Sequence, residues 1–320
     1  MSEVTKYSPL DALDDSALIE DFCKDCELQG MTPETIRRYG SSLRIFEEFL
    51  SWQNTTLLDV DRAVLKDFIS YLRNERNNSS KTVNNNFSAL SSFYEYLVYE
   101  RLLERNPVLE IRRRYLGSYK SNPGNNSERK LISIEEMKVL IGSILNPRDK
   151  AIITLLAKTG IRRNELINID LDDINWENQS ITLKPTRKRT NLLVFFDDEC
   201  ARILRRWLRR RETTVKDECK ALFVSTYGNR IDRNAVYHAA TKHAERLGLH
   251  DQSSSKTEDH FSPHCCRHWF TTHLIRAGMP REYVKELRGD TRGDAIDIYH
   301  HIDREELRES YLAHIPQLGI

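Results

Sequence analysis

A segment rich in glycine, proline, asparagine and serine divides the chain and restricts it to folds built from two parts. Residues 117–128 have this composition and follow three consecutive arginines at 112–114. Such a composition favours flexible backbone over a packed helix or strand. A chain of 320 residues is long enough to form a separate hydrophobic core on each side. We therefore predict a linker at 116–130.

The residues before the linker carry the apolar spacing of helices. A helix is predicted near 16–28, and apolar residues recur at helical spacing over 36–50, 64–72 and 83–97. Thr32-Pro33 and Ser79-Ser80 precede two of these stripes, as residues at helix starts do. We predict a compact bundle of four or five helices over 16–115, preceded by an acidic extension over 1–15.

The residues after the linker predict a mixed but mainly helical fold. Ser133 and Glu136 have the spacing of a capping box, and a helix through 148–158 is predicted to end at a left-handed Gly160. Short strands are expected around 173–183 and 192–196. Further helices are predicted at 198–212, 233–247, 264–277, 280–288 and 294–301. The predicted fold class is mainly α with a small antiparallel β-sheet, with one domain over 131–302 and a tail helix over 303–320.

The formal net charge is only +1, but the charges are unevenly distributed. Residues 1–30 hold eight Asp or Glu and two Lys, whereas residues 184–211 hold ten Lys or Arg and three Asp or Glu. The basic region can form a positive groove for nucleic acid, or it can be a solvated charged surface. No apolar run approaches the roughly 18 residues of a membrane span, and the N-terminus does not resemble a secretory signal. We predict a cytoplasmic protein with no membrane partner.

The six cysteines do not predict a metal site. Cys23 and Cys26 have metal-ligand spacing, but no second close pair completes a zinc site, and both fall within a helical pattern. Free thiols are the expectation for a cytosolic protein. We predict no metal.

Two arginines, a histidine and a tyrosine occur in an order that suits attack on a phosphodiester. Arg162 follows a glycine, His264 and Arg267 lie one helical turn apart, and Tyr299 lies 32 residues after Arg267. Two guanidinium groups can bind a phosphoryl group through paired hydrogen bonds, and a phenol oxygen can attack phosphorus covalently. A surface salt bridge or a packed histidine would explain any one of these residues alone. The combination predicts a catalytic site.

These motifs resemble the tyrosine recombinase, or phage integrase, family, which includes the Xer-type recombinases. The resemblance extends from about residue 16 to 305 and rests on Thr159-Gly160-x-Arg162-x-x-Glu165-Leu166, on His264-x-x-Arg267-His268 and on Tyr299. It implies a helical core-binding domain that binds DNA over 16–115 and an α+β catalytic domain over 131–302. It also implies that the tyrosine attacks a DNA phosphodiester to give a 3′-phosphotyrosyl link, without metal or other cofactor.

The roles implied by the resemblance fit the chemistry of the residues. Arg162 and Arg267 would hold the non-bridging oxygens and stabilise charge on the pentacoordinate phosphorus. A phenol has a pKa of about 10, so Tyr299 needs a base or a positive field. His264 would accept the tyrosine proton or donate a hydrogen bond to the phosphate.

The general acid for the 5′-oxygen leaving group has two candidates. In the family, the motif with the first arginine and the motif with the second are called the arginine boxes, and here they contain Arg162 and Arg267. The family places a lysine in a β-hairpin between these boxes, which corresponds here to residues 183–191. Counting back from the strand at 192–196 favours Lys188, and Lys184 is the alternative. Arg187 is a poor proton donor because the pKa of a guanidinium exceeds about 12. An alternative role for Lys188 is phosphate contact alone.

One position departs from the family. A His or Trp usually lies nine residues before the tyrosine, where this chain has Asp290. An ionised carboxylate cannot donate a hydrogen bond to phosphate. Orientation of Arg288 or His264 by Asp290, and replacement of the missing donor by Arg292, are the alternatives.

The leading prediction is a site-specific DNA recombinase that holds double-stranded DNA between its two domains and acts as four protomers on two sites. Integration, dimer resolution and inversion are all open as outcomes. A DNA-binding protein of the same fold with weakened or lost catalysis is the alternative from another class. A type IB topoisomerase-like enzyme is the third.

The tail and two other tyrosines complete the predictions. The predicted tail helix over 303–320 carries an apolar stripe formed by Leu307, Tyr311, Leu312 and Ile315. In the resembling family such a tail reaches into a neighbouring protomer, so we predict an element of assembly; packing against its own domain is the alternative. Tyr283 and Tyr311 compete with Tyr299 as nucleophiles, but helical spacing predicts a buried Tyr283, and Tyr311 lies in the tail.

Overall fold

The computed structural model describes residues 14–117, 130–186, 189–216, 218–254, 256–290 and 302–320. The chain divides into two compact units, Met1–Asn125 and Asn126–Ile320. Each unit has its own cluster of buried apolar side chains. The predicted helix at 294–301 lies outside the described residues.

The N-terminal unit is a helical bundle. Its helices are α1 (Asp15–Leu28), α2 (Pro33–Trp52), α3 (Arg62–Ser70), α4 (Ser80–Tyr99) and α5 (Val108–Ile111), with wider π-type turns at Tyr71–Glu75 and Arg112–Leu116. The two predicted caps are present, because the hydroxyls of Thr32 and Ser79 accept hydrogen bonds from the amides of Thr35 and Thr82. These caps satisfy amides that the first turn of a helix leaves unpaired.

Aromatic rings fill the core of the N-terminal unit. Phe46 and Phe68 have ring centroids 4.7 Å apart, and Phe22 meets Phe93 edge-on at 5.5 Å. Complete burial of one such ring stabilises the fold by about 1.5–3 kcal/mol. Cys26 belongs to this core and is fully buried.

The C-terminal unit surrounds one central helix with other helices and a small sheet. Its helices are α6 (Ile134–Ser143), α7 (Pro147–Thr159), α8 (Arg163–Ile167), α9 (Asp198–Arg211), α10 (Arg233–Glu245), α11 (Pro263–Arg276), α12 (Arg281–Arg288) and α13 (Arg304–His314), with short 3₁₀ turns at Leu171–Asp173 and Thr257–Asp259. The predicted capping box is formed, since Ser133 and Glu136 bond to each other's backbone amides at 3.1 and 2.7 Å. Helix α7 is buried on nearly all sides, as the central element of a core must be.

The sheet is antiparallel, in the order β1 (Ile174–Asn175), β2 (Ser180–Thr182) and β3 (Leu193–Phe195). Ile181 pairs with both Ile174 and Val194. These strands lie within the two segments predicted from the sequence. The segment between β2 and β3 therefore begins and ends on two paired strands.

The C-terminal tail packs against its own unit. Leu307, Tyr311 and Ile315 are at most 3% exposed, and the carboxylate of Glu199 accepts hydrogen bonds from the last three backbone amides. The buried Lys158 ammonium donates to the Pro316 carbonyl at 2.7 Å. In this single chain, three of the four residues of the apolar stripe predicted to reach a neighbouring protomer are instead buried in their own unit, and Leu312 is exposed.

Candidate active site

Gly160 sets the path of the chain into the first arginine box. It ends α7 with φ of 60°, the left-handed conformation predicted from the sequence. A Cβ atom at this position would clash with the ring of Phe270 on α11. Only glycine therefore allows the end of α7 to approach α11 so closely, and the chain then turns directly into Arg162.

Arg162 is held from the inside by a carboxylate. It caps α8, where its Nη1 lies 2.9 Å from Glu165 Oε1 and its backbone amide donates to Glu165 Oε2 at 2.7 Å. The Glu165 side chain is 2% exposed, while that of Arg162 is 31% exposed. The guanidinium is thus fixed on one side and open to solvent on the other.

Arg267 is held by backbone carbonyls. It projects from α11, with Nη1 donating to the Gly160 carbonyl at 2.7 Å and Nη2 to the Arg288 carbonyl at 2.9 Å. Burial, together with the charges of Arg162 and Arg288, lowers the pKa of Arg267 to about 10. The group therefore remains a cation at neutral pH. Its burial is tolerated because its donors are hydrogen-bonded.

Asp290 joins the two arginine boxes. Its Oδ1 atom lies 3.0 Å from Arg267 Nη2 and 3.4 Å from Arg162 Nη2, and its Oδ2 atom lies 3.1 Å from Arg288 Nε. Two guanidinium groups from distant parts of the sequence thus converge on one oxygen atom. The sequence analysis included orientation of Arg288 among the alternative roles of Asp290, but it did not predict the contacts with Arg162 and Arg267.

His264 lies one turn before Arg267 on α11 and is exposed. Side chains three apart on a helix share one face. The structure thus brings Arg162 and Arg267 together on Asp290 and places His264 one helical turn before Arg267. Lys188 and Tyr299 lie outside the described residues.

Lys184, the alternative general acid, is paired with two carboxylates. Its Nζ atom lies 2.9 Å from Asp173 Oδ1 and 3.2 Å from Asp170 Oδ2. Hydrogen bonds to Asp173 and then to Asp170 raise the pKa of Lys184. In this arrangement the ammonium is a weaker acid than an ordinary lysine.

Arg189 is a site residue that the sequence did not reveal. Its side chain is fully buried and donates to Glu165, to the carbonyls of Leu287 and Arg288, and to the Asn191 carbonyl. It therefore joins the base of the β2–β3 hairpin to the partner of Arg162 and to the end of α12. In sequence it stands in a basic, polar hairpin, and nothing there distinguishes it from a surface residue.

The two competing tyrosines are engaged elsewhere. Tyr311 is fully buried and donates to the Lys158 carbonyl at 2.9 Å, and burial raises its pKa well above the ordinary value. Tyr283 donates to Glu306 at 3.2 Å, and partial burial together with this bond raises its pKa. Neither environment favours a phenolate nucleophile.

Within the described residues, no helix is both long and apolar enough to cross a membrane. In the same part of the chain, no cluster of three or more His, Cys, Asp or Glu side chains is placed to bind a metal ion. The two units and the two arginines that converge on one carboxylate oxygen define a two-domain protein with a guanidinium pair of the kind that suits oxyanions.

Comparisons with known proteins agree with this class. Residues 130–306 match the phage integrase family, and residues 18–104 match its N-terminal SAM-like domain. The chain therefore belongs to the phage integrase family of tyrosine recombinases. The family and fold class predicted from the sequence are confirmed, as is the class of site-specific recombinase.

Relatives of known name match nearly the whole chain. The tyrosine recombinase XerC of Caldanaerobacter subterraneus subsp. tengcongensis is 28% identical, over 96% of this chain and 87% of the relative. The tyrosine recombinase XerD of Pseudomonas putida is 27% identical, over 95% of this chain and 98% of the relative. The resemblance thus includes both units.

Solved structures share the fold. The XerH recombinase bound to palindromic difH substrate, in a post-cleavage complex, is 22% identical with a TM-score of 0.67, covering 93% of this chain and 84% of that one. The Tn1549 transposon integrase in complex with transposon right-end DNA is 17% identical with a TM-score of 0.67. The match covers 91% of this chain and 97% of that one. At these identities the likeness concerns the fold.

Proposed function

We propose that this chain cleaves and rejoins double-stranded DNA through a covalent 3′-phosphotyrosyl intermediate on Tyr299. The observation that carries the proposal is the convergence of Arg162 Nη2 and Arg267 Nη2 on one anionic oxygen, at 3.4 and 3.0 Å. Such a pair of donors suits a non-bridging oxygen of the scissile phosphate. Relatives solved with DNA, named above, support double-stranded DNA as the partner.

In the proposed reaction, the Tyr299 oxygen attacks phosphorus and the bond from phosphorus to the 5′-oxygen breaks. The tyrosine proton passes to His264, which is exposed beside Arg267, and the 5′-oxygen takes a proton from the general acid. Arg162 and Arg267 stabilise the charge on the pentacoordinate phosphorus. The phosphodiester energy is kept in the phosphotyrosyl bond, so a 5′-hydroxyl can reverse the step on another strand.

The domain assignment and cellular setting follow from this proposal. The core-binding domain over 16–115 and the catalytic domain over 131–302 are supported by the family matches at 18–104 and 130–306. Recombination brings two DNA sites together, so we propose that the protein assembles as a tetramer on DNA. We also propose that it works in the cytoplasm. The named relatives are tyrosine recombinases. They therefore favour a recombinase over the two alternatives, a binding-only protein and a topoisomerase.

Covalent trapping tests the nucleophile. A preferred site is first selected from random duplexes by binding, and a nicked suicide duplex carrying that site is incubated with the protein. We expect a denaturation-resistant DNA adduct with the unaltered chain and with Tyr227→Phe, whose ring is exposed, but none with Tyr299→Phe. An adduct formed by Tyr299→Phe would refute the assignment.

A sulfur leaving group tests the general acid. A 5′-bridging phosphorothiolate leaves as a thiolate and needs no proton donor. We propose Lys188 as the acid, so Lys188→Ala should cleave the ordinary duplex poorly and the phosphorothiolate duplex at nearly the unaltered rate. Lys184→Ala serves as the comparison. Sulfur rescue of Lys184→Ala instead would transfer the role to Lys184.

A further inference from the structure

The two arginines of the site are positioned without help from Asp290. Arg267 is fixed by the carbonyls of Gly160 and Arg288 at 2.7 and 2.9 Å, and its side chain is 5% exposed. Arg162 is fixed by Glu165 at 2.9 Å. Each guanidinium therefore has its orientation set from the protein interior.

Both guanidinium groups also contact a carboxylate, and for Arg267 the nitrogen involved is the same Nη2 that donates to the Arg288 carbonyl. Asp290 Oδ1 lies within 3.4 Å of Arg162 Nη2 and within 3.0 Å of Arg267 Nη2. The Asp290 side chain is 33% exposed, so it covers the side of the site that solvent reaches. A carboxylate oxygen and a phosphate oxygen are equivalent acceptors for a guanidinium pair.

We infer that Asp290 is the internal occupant of the oxyanion position in the DNA-free protein, and that the scissile phosphate binds by replacing its carboxylate. The inference rests on the proposed function, because it takes the Arg162–Arg267 pair as the phosphate site. Phosphate and carboxylate cannot share the position, since both are anions that require the same two donors. Asp290 thus lowers the apparent affinity of the site for any oxyanion.

A second observation shows where the displaced carboxylate goes. Arg288 Nε is buried and makes no hydrogen bond to any described residue, although Asp290 Oδ2 lies only 3.1 Å away. An unpaired buried donor is unfavourable. A small rotation of Asp290 toward Arg288 satisfies this donor at the moment the phosphate takes Oδ1's place. The charge of Asp290 then stays paired in both states.

The size of the effect follows from occupancy. When only a fraction of molecules has the site open, the apparent dissociation constant rises by the inverse of that fraction. If Asp290 occupies the site in about nine molecules of ten, its removal tightens oxyanion binding about tenfold. If Asp290 served to position the arginines, its removal would weaken binding.

Titration calorimetry with inorganic phosphate on the full chain tests the inference without recourse to DNA. We expect Asp290→Asn, which keeps the shape and loses the charge, to bind phosphate about tenfold more tightly than the unaltered protein. Asp290→Ala is the second variant and should show the same gain. Asp172→Asn is the matched control, because it removes an equal charge from an exposed carboxylate paired with Lys220, and it should bind as the unaltered chain does.

The site of binding is checked by combination. The double variant Asp290→Asn with Arg267→Ala should no longer bind phosphate more tightly than the unaltered protein. Unchanged or weaker phosphate binding in Asp290→Asn would overturn the inference, as would an equal gain in Asp172→Asn or a gain that survives the loss of Arg267. Failure of Tyr299 to form a DNA adduct would refute the proposed reaction, but it would leave the phosphate result standing.

Discussion

Arg189 and Glu165 form a buried ion pair, with Nη1 and Oε2 3.1 Å apart and both side chains at most 2% exposed. Glu165 also binds Arg162 at 2.9 Å. The first arginine box and the base of the β2–β3 hairpin are therefore held by one carboxylate. Gly289 allows this contact, since a Cβ atom there would lie 2.5 Å from Arg189 Cγ.

Loss of Arg189 should destabilise the protein strongly. We expect Arg189→Met to lower the free energy of unfolding by about 3–5 kcal/mol, because it removes one partner of a buried pair. Urea unfolding of the full chain measures the change. Lys220→Met removes a partner from an exposed pair and should cost less than about 1 kcal/mol. Equal losses for the two variants would contradict the role of burial.

Substitution of Gly160 should affect both stability and cleavage. Gly160→Ala imposes a left-handed φ on alanine and a clash with Phe270, so we expect a loss of about 1–3 kcal/mol. Cleavage should fall as well, because the Gly160 carbonyl positions Arg267. Gly142→Ala is the control: it lies in α6 with no atom near its added Cβ, and alanine should stabilise that helix by about 0.5–1 kcal/mol. Thermal melts and adduct formation report the two effects, and a Gly160→Ala variant as stable as Gly142→Ala would disprove the packing argument.

Removal of either site arginine should reduce cleavage far more than DNA binding. We expect Arg162→Ala and Arg267→Ala each to slow adduct formation by roughly 10²–10³, as the loss of one transition-state donor does. Duplex affinity should change little, because it is spread over many phosphates. Arg209→Ala, on the exposed side of α9, is the control. Parallel losses in gel-shift affinity and in cleavage rate would show that these arginines act only in binding.

Acid should weaken the anchorage of the tail. Burial raises the pKa of Glu199, but hydrogen bonds from Lys158 and from the Leu318 amide outweigh it, so the pKa is lowered from the ordinary 4.5. A carboxylate with a lowered pKa stabilises the fold above its unfolded pKa, and this contribution is lost as pH falls through the folded pKa. We therefore expect Glu199→Gln to be less stable than the unaltered chain at neutral pH, with the difference shrinking below pH 4.5.

The measurement is urea unfolding of the two proteins from pH 7 to pH 3. Glu258→Gln removes an exposed carboxylate near Lys256 and should match the unaltered chain throughout. A difference between the Glu199→Gln variant and the unaltered chain that stays constant with pH would contradict the assigned role of ionised Glu199.

Much of the fold could be predicted because its signals are local. The helix starts at Thr32, Ser79 and Ser133 depend on a side chain and an amide three residues apart, and the left-handed Gly160 depends on the helix it ends. The arginine boxes were found for the same reason, since each is a short motif on one element. The path of the tail could not be predicted, because an apolar stripe packs equally well on its own domain or on a neighbour.

The sequence by itself determined which residue types the site contains, the two-part architecture and the family, because caps, helical periodicity and motif spacing all act over a few residues. Only the tertiary structure decided that Arg189 is buried and that Asp290 lies between two arginines. Arg162 and Asp290 are 128 residues apart in the chain, and Gly160, two residues before Arg162, packs closely against Phe270 on α11. Burial and long-range contact arise from packing, and packing of such distant segments leaves no mark in local sequence.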